Sequence, residues 1–511
     1  MDKIPRKISM LEPGKIELKD LTADPFLLRE IPISFAKANL VLPLRISDGE
    51  LIGLVSDENG VLSLSDIARK KGLKPSWLMV AKEELLELIG RFYAELGSAE
   101  EVMETISGED LSSVATEFER PKDLLELTEE APIIRLLNAI LQEAVKERAS
   151  DIHIEPYEKE LEIRYRIDGI LTKVLAPPKL IQEALVTRVK VMANLDIAEK
   201  RLPQDGRIRL LIGGRDIDVR VSIIPTVYGE RVVLRLLDRQ QGIKGLEEIG
   251  LEDDHSRMIQ DLLARTNGII LVTGPTGSGK TTTLYAFLNR IYSVTKNIIT
   301  IEDPVEYQLK GIGQIQVNPR IGLTFASGLR SILRQDPDVI MVGEIRDLET
   351  AEIAIQASLT GHLVLSTLHT NDAPSAITRL LDMGIEPYLL ASSLSGVIAQ
   401  RLVRTICPYC KLDYEPLPAE KDYFDNPPER LFRGRGCPEC NGSGYFGRTG
   451  LFEVFVIDNE VRGLISMKKD SETIKQYAVS KGMKTLRMDG LRKVLKGVTT
   501  LEEVLRVTQI S

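Results

Sequence analysis

Apolar positions along this chain follow two periods, and the places where one gives way to the other mark its domains. GIILVTG (268–274), IITIEDP (298–304), DVIMVGE (338–344) and HLVLSTLH (362–369) are short runs rich in branched residues, separated by stretches of helical spacing. Strands buried on both faces read this way, so residues 251–402 are predicted to form a three-layer α/β domain. Upstream, IIRLLNAILQEAVKERA (133–149) has helical period, whereas LEIRYRIDGIL, GRIRLLIGG and DIDVRVSII alternate residue by residue. This second module spans 131–238, a helix followed by strands with one wet face. Nearer the amino terminus, LVLPLRI and ELIGLV read as strands and SWLMVAKEELLELIGRFYAEL (76–96) as a helix, a small α/β domain within 1–104. Residues 105–130, acidic and poor in aromatics, and the Gly-containing 239–250 read as linkers. A cysteine-bearing segment, 403–455, and a helical segment, 456–511, complete the chain.

At 511 residues the chain exceeds a single hydrophobic core, and its 43% apolar and 28% charged content is that of a globular protein. No run approaches the roughly 18 apolar residues of a bilayer span, and MDKIPRKISMLEPGK has no signal-peptide core. A cytoplasmic protein is expected, touching a membrane only through partners. The net charge of -9 and the single tryptophan argue against nucleic acid as a partner. That average hides an asymmetry: residues 1–130 carry 16 Lys and Arg against 26 Asp and Glu, while 161–240 carry 15 against 10. The second module is locally basic.

Between the first apolar run and a helical pattern lie Gly274, Pro275, Thr276, Gly277, Ser278, Gly279, Lys280 and Thr281, a full phosphate-binding loop pattern. Its glycines let backbone amides converge on a β-phosphate, assisted by the positive end of the next helix. Lys280 would reach the β/γ oxygens and Thr281 would hold magnesium, so the segment predicts a nucleoside triphosphate site. Hydrolysis there needs an oriented water and neutralised charge. Carboxylates at strand ends supply both: Glu302, Asp303 and Glu306 follow one strand and Glu344 another, at the edge where open α/β sheets bind ligands. Glu344 is expected to coordinate magnesium, although Gly343 interrupts its apolar run, and Glu306 to position the attacking water. His362 and His369 bracket a strand, which puts His369 at the same edge as a sensor of the γ-phosphate. All four cysteines lie in CPYC (Cys407, Cys410) and CPEC (Cys437, Cys440), 26 residues apart. Two such knuckles predict a closed, structural zinc site, since disulfides do not suit a cytoplasmic protein.

ASDIHIEP, RLPQDGRIR, GPTGSGKTTTL, TIEDPVEY, LRQDPDVIMVGEIRDLETAEIA and TGHLVLSTLHTNDA occur in this order before the cysteine knuckles. Over residues 130–511 this set resembles the type II/IV secretion ATPase superfamily, and within it the type II secretion ATPases. The resemblance implies an α/β fold class: a RecA-like P-loop ATPase domain preceded by a PAS-like α+β domain, with a zinc-binding subdomain and a small amino-terminal α/β domain. It also implies the Walker A box at 274–281, the aspartate box at 302–306, the Walker B box at 338–344 and the histidine box at 362–369. ATP would lie between the two larger domains of a homo-hexamer, with PAS-like-domain arginines on its phosphates. Arg207, Arg220 and Arg235 fit that role, though each alone would pass for a surface charge. The implied partners are an inner-membrane platform protein and the cytoplasmic domain of a membrane anchoring protein, which would hold the ring peripherally at the inner membrane.

The expected function is ATP hydrolysis that powers pseudopilus assembly and protein export. A type IV pilus extension ATPase shares every catalytic block and the zinc site, and stands as the alternative. Retraction motors resemble the chain without its cysteine knuckles, and a nucleic-acid translocase conflicts with its acidity.

Overall fold

The computed structural model describes residues 23–94, 132–238 and 244–509, except 25–26, 29–30, 32, 48 and 213–214. The expected linker at 105–130 and residues 239–243 of the second linker lie outside the described residues. The chain divides into two units between Gln240 and Gln241. Among the described residues, no helix is long and apolar enough to cross a membrane.

In the first unit, β1 (Val41–Ser47), β2 (Glu50–Val55) and β3 (Lys74–Met79) form a three-stranded sheet in that order. β2 and β3 run parallel, connected through the helix Glu58–Lys70, whose first turn is capped by Asp57 accepting from the Gly60 amide at 2.8 Å. Ser76–Met79 are strand residues, contrary to the helical expectation for 76–96, and the helix begins only at Lys82. Pairing of Gly53 with Trp77 and Leu54 with Leu78 decides the matter, because a four-residue apolar run has no period of its own.

A six-stranded antiparallel sheet follows, built from β4 (Asp151–Pro156), β5 (Leu161–Ile167), β6 (Ile170–Leu175), β7 (Gln204–Ile212), β8 (Arg215–Thr226) and β9 (Gly229–Asp238). The order is β6-β5-β4-β9-β8-β7. Helices Pro132–Lys146 and Gln182–Met192 cover one face and share its core, giving an α+β domain. LEIRYRIDGIL is a hairpin rather than one strand: Asp168 (φ 48°) and Gly169 (φ 90°) make the two-residue turn that Asp-Gly favours.

The second unit is built on a seven-stranded sheet. Its strands are β10 (Gly268–Thr273), β11 (Ile298–Glu302), β12 (Gly313–Gln316), β13 (Val339–Val342), β14 (Leu363–Leu368) and β15 (Leu394–Ile406). After the small hairpin β16 (Lys411–Tyr414) and β17 (Leu431–Gly434), the chain returns as β18 (Tyr445–Val456). The order β12-β11-β13-β14-β10-β15-β18 is parallel except for the last strand, which runs antiparallel to β15. Two cores flank the sheet: Ile269 and Leu271 enter one, Ile270 and Val272 the other. Period-2 alternation inside an uninterrupted apolar run is what a three-layer domain demands. Two features shift the sequence-based boundaries. Leu246 and Ile249, in the stretch read as linker, are buried in this core. Val403–Ile406 and Tyr445–Phe455 belong to β15 and β18, so the cysteine segment interrupts an edge pair of the main sheet.

Candidate active site

β10 ends at Thr273, and the backbone must turn into the helix Lys280–Ile291 through residues 274–279. Gly274 (φ 149°) and Gly279 (φ 90°) make that possible, and space enforces both. A Cβ on Gly274 would lie 2.4 Å from the Gln400 carbonyl oxygen, and one on Gly279 would lie 2.9 Å from Gln400 Nε2. Gln400, buried on β15, therefore forms the floor of the loop, and its Oε1 accepts from the Thr283 hydroxyl at 2.7 Å. Pro275, Thr276 and Gly277 form the exposed crest, Ser278 is buried beneath it, and Thr281 is exposed on the first turn of the helix. Lys280 Nζ donates to the carbonyls of Gly274 and Pro275 at 2.8 and 3.1 Å. Burial draws its pKa down to about 8; Glu344 opposes the shift and Arg401 adds to it.

Glu344 follows β13 on the same edge. Its carboxylate pairs with Arg346 and lies 3.4 Å from Nε2 of His369, which follows β14. Asp303 adds to the negative charge around Arg346. Gly343 has a steric reason: its amide donates to the Ile301 carbonyl at 2.8 Å, and a Cβ would sit 3.3 Å from that oxygen and 3.4 Å from Glu302 Cα. His362 lies at the far end of β14, where Nδ1 donates to the Ala357 carbonyl at 2.8 Å and closes the preceding helix. Lys280, Glu344 and His369 thus converge, and His362 stands apart.

Glu302 differs from the other carboxylates. It is 3% exposed and accepts from the hydroxyls of Tyr285 (2.5 Å) and Thr300 (2.6 Å) and the Gln314 amide (3.1 Å). A buried carboxylate with three donors is a framework group. Its effect passes outward through Tyr285, whose oxygen accepts from the Glu306 amide at 3.3 Å and so holds the segment that carries Glu306. Burial and the Glu302 charge push the Tyr285 pKa up, which keeps the phenol a donor. Thr273 Oγ1 similarly accepts from the Thr370 amide at 2.9 Å, tying the start of the loop to the histidine box. Sequence reasoning missed Tyr285, Gln400 and Thr370. Their partners stand 17, 117 and 97 positions away, so only strand order brings them together.

The four cysteines make a separate centre. Their Sγ atoms all lie within 4.8 Å of one another, with 3.8 Å between Cys407 and Cys437, 3.8 Å between Cys410 and Cys440, and 3.6 Å between Cys437 and Cys440. A zinc–thiolate bond of about 2.3 Å gives a tetrahedron with edges of about 3.8 Å, so the cluster fits zinc. These separations also exclude disulfides, and all four thiols are free. Burial opposes ionisation of Cys440, but the amides of Cys437 and Gly444, each 3.2 Å from its sulfur, outweigh it and bring the pKa to about 6.

In the first unit, register explains the expected arginines. Arg207 pairs with Arg220, Arg220 with Arg235, Arg235 with Asp151 and Asp151 with Arg166, one row on one face across five strands. Asp218, 2% exposed, accepts through both carboxylate oxygens from Nε and Nη2 of Arg207, and Asp151 accepts from Arg235 Nε at 3.0 Å and lies 3.7 Å from Arg166. Directly opposed arginines repel one another, and Asp151 and Asp218 offset that cost within the row. Nothing in the local sequence signals Arg166 as its fourth cation.

Comparison with known proteins accords with this geometry. Over 497 residues the chain is 50% identical to type II secretion system protein E of Pseudomonas aeruginosa, covering 96% of this chain and 99% of that one. It is 50% identical over 504 residues to type II secretion system ATPase E of Vibrio cholerae, covering 95% and 100%. To the type IV pilus assembly ATPase PilB of Myxococcus xanthus it is 43% identical over 498 residues, covering 96% and 88%. Among solved structures, the pilus retraction motor PilT with bound ADP matches at 28% identity and a TM-score of 0.50, over 73% of this chain and 97% of that one. Residues 5–99 match the MshEN domain, and residues 126–506 match the type II/IV secretion system protein family. With the phosphate loop, its carboxylate and histidine edge and the four-cysteine centre in place, the chain belongs to the type II/IV secretion system protein family.

Proposed function

We propose that this chain is an ATPase that powers pseudopilus assembly and protein export in a type II secretion system. The observation that carries the reading is near end-to-end 50% identity with type II secretion E proteins, against 43% with the pilus ATPase. The loop amides and Lys280 bind the β- and γ-phosphates. Thr281 and Glu344 offer the hard oxygen donors that suit magnesium, which when bound neutralises phosphate charge. Glu306 orients the attacking water, and His369, beside Glu344, senses the γ-phosphate. Arg207, Arg220 and Arg235 are the candidates to stabilise the charge that grows on the phosphates in the transition state. Cys407, Cys410, Cys437 and Cys440 would hold a structural zinc, which would tie the cysteine segment together and take no part in the chemistry.

The working form is a homo-hexamer. It is cytoplasmic and held at the inner membrane by a platform protein and by the cytoplasmic domain of an anchoring protein. A clean deletion in the organism that carries this chain tests the reading. Export of secreted proteins should stop while surface pili persist, and loss of pili with export intact would assign the chain to pilus extension instead.

A further inference from the structure

β15 carries two opposed sets of side chains past the phosphate loop. Ile398 shares a core with Phe287 of the loop helix, Gln400 accepts from Thr283, and Leu402 lies 3.5 Å from where a Gly279 Cβ would stand. Val397, Ala399 and Val403 face the other core, with Ala373 and Ile377 of the helix that follows the histidine box. Arg401 belongs to this second set by alternation. It stands two residues past the pairing of Ala399 with Thr273, where β10 has already become the phosphate loop. Its Nη2 donates to Oδ1 of Asn371, two residues after His369, at 2.9 Å.

We propose that Arg401 binds the terminal phosphate of the nucleoside triphosphate from within its own chain, in addition to the phosphate loop and the histidine box. The inference rests on the ATPase reading above. Arg401 is half-buried, its Nε is buried with no hydrogen-bond partner, and among the described residues no carboxylate pairs with it. An arginine so placed is costly unless an anion compensates it. The carboxylates of the site are engaged elsewhere: Glu344 by Arg346 and His369, Glu302 by its three donors. Arg401 also depresses the pKa of Lys280, so two cations bear on one another at the mouth of the loop. An anion between them relieves both. A guanidinium fork suits a phosphate bidentately, and Asn371 holds it on the side of His369, the residue read above as the sensor of the γ-phosphate.

The test compares full-length wild type, Arg401→Gln and Arg401→Lys in equilibrium binding of ADP and of a β,γ-imido ATP analogue, both with magnesium. Arg401→Gln should weaken the analogue about tenfold or more, the cost of a charge-assisted hydrogen bond, and change ADP affinity less than about twofold. Arg401→Lys should recover part of the loss. Equal losses for both nucleotides, or no loss for either, overturn the proposal. If melting shows that Arg401→Gln does not fold, Asn371→Ala takes its place: releasing the guanidinium should again weaken the analogue selectively, and an unselective effect overturns the proposal. Wild type that binds neither nucleotide would overturn the ATPase reading itself, whereas normal wild-type binding with an indifferent Arg401 defeats this inference alone.

Discussion

Raising the pH should loosen nucleotide binding through one residue. Lys280 is the only charged side chain of the phosphate loop, and burial sets its pKa at about 8. Glu344 pulls that value up and Arg401 pushes it down. Phosphate selects the ammonium form. The free protein is therefore competent below about pH 8 and must take up a proton above it, so the dissociation constant scales as one plus ten to the power of pH minus pKa. The factor is close to one at pH 7, about two at pH 8 and about ten at pH 9, the last equal to ~1.4 kcal/mol. Fluorescent ADP titrated at fixed ionic strength between pH 6.5 and 9.5 measures it, with Lys280→Arg, charged throughout, as the control. A flat wild-type profile up to pH 9.5, or the same slope in Lys280→Arg, refutes the reasoning.

Elemental analysis should find about one zinc per chain, the capacity of four thiolates. Chelation should raise hydrogen exchange across 403–445 and leave 268–291 protected; metal-free protein with unchanged exchange contradicts the site. Tyr285→Phe removes a donor from buried Glu302 and an acceptor from the Glu306 amide, which should cost about 1.5–3 kcal/mol of stability and lower kcat with little change in KM. Thermal melting and steady-state kinetics test it, and an unaltered kcat rules out the positioning role. Arg220→Ala should reduce kcat far more than ATP affinity, as befits a contact strongest in the transition state; proportional losses would assign it to ground-state binding.

The site was legible in the sequence wherever the chemistry is local. The phosphate loop and its flanking elements, the acid after β13 and the histidine after β14 all sit within a few residues of the apolar run that positions them. Two pairs of cysteines point to a metal-binding cluster by spacing alone. Misreadings arose where pairing partners are distant. Ser76–Met79 has no period and became a strand because β2 accepts it; Arg401 and Gln400 gain their roles from a strand order that sets β15 beside β10, and Tyr285 gains its role by reaching from the loop helix to Glu302 at the end of β11. Likewise β15 runs on past residue 402 to Ile406 to pair with β18. The arginines were identified through family resemblance; their alignment in a single row is a property of register, to which composition is blind.

Steady-state ATP turnover by the full-length chain and by Lys280→Ala and Glu344→Gln, with ATP binding measured in parallel, tests the central claim most directly. The account predicts magnesium-dependent hydrolysis in the wild type, its loss in both variants, and retained ATP binding in Glu344→Gln. Near-normal turnover in either variant at saturating ATP would contradict it.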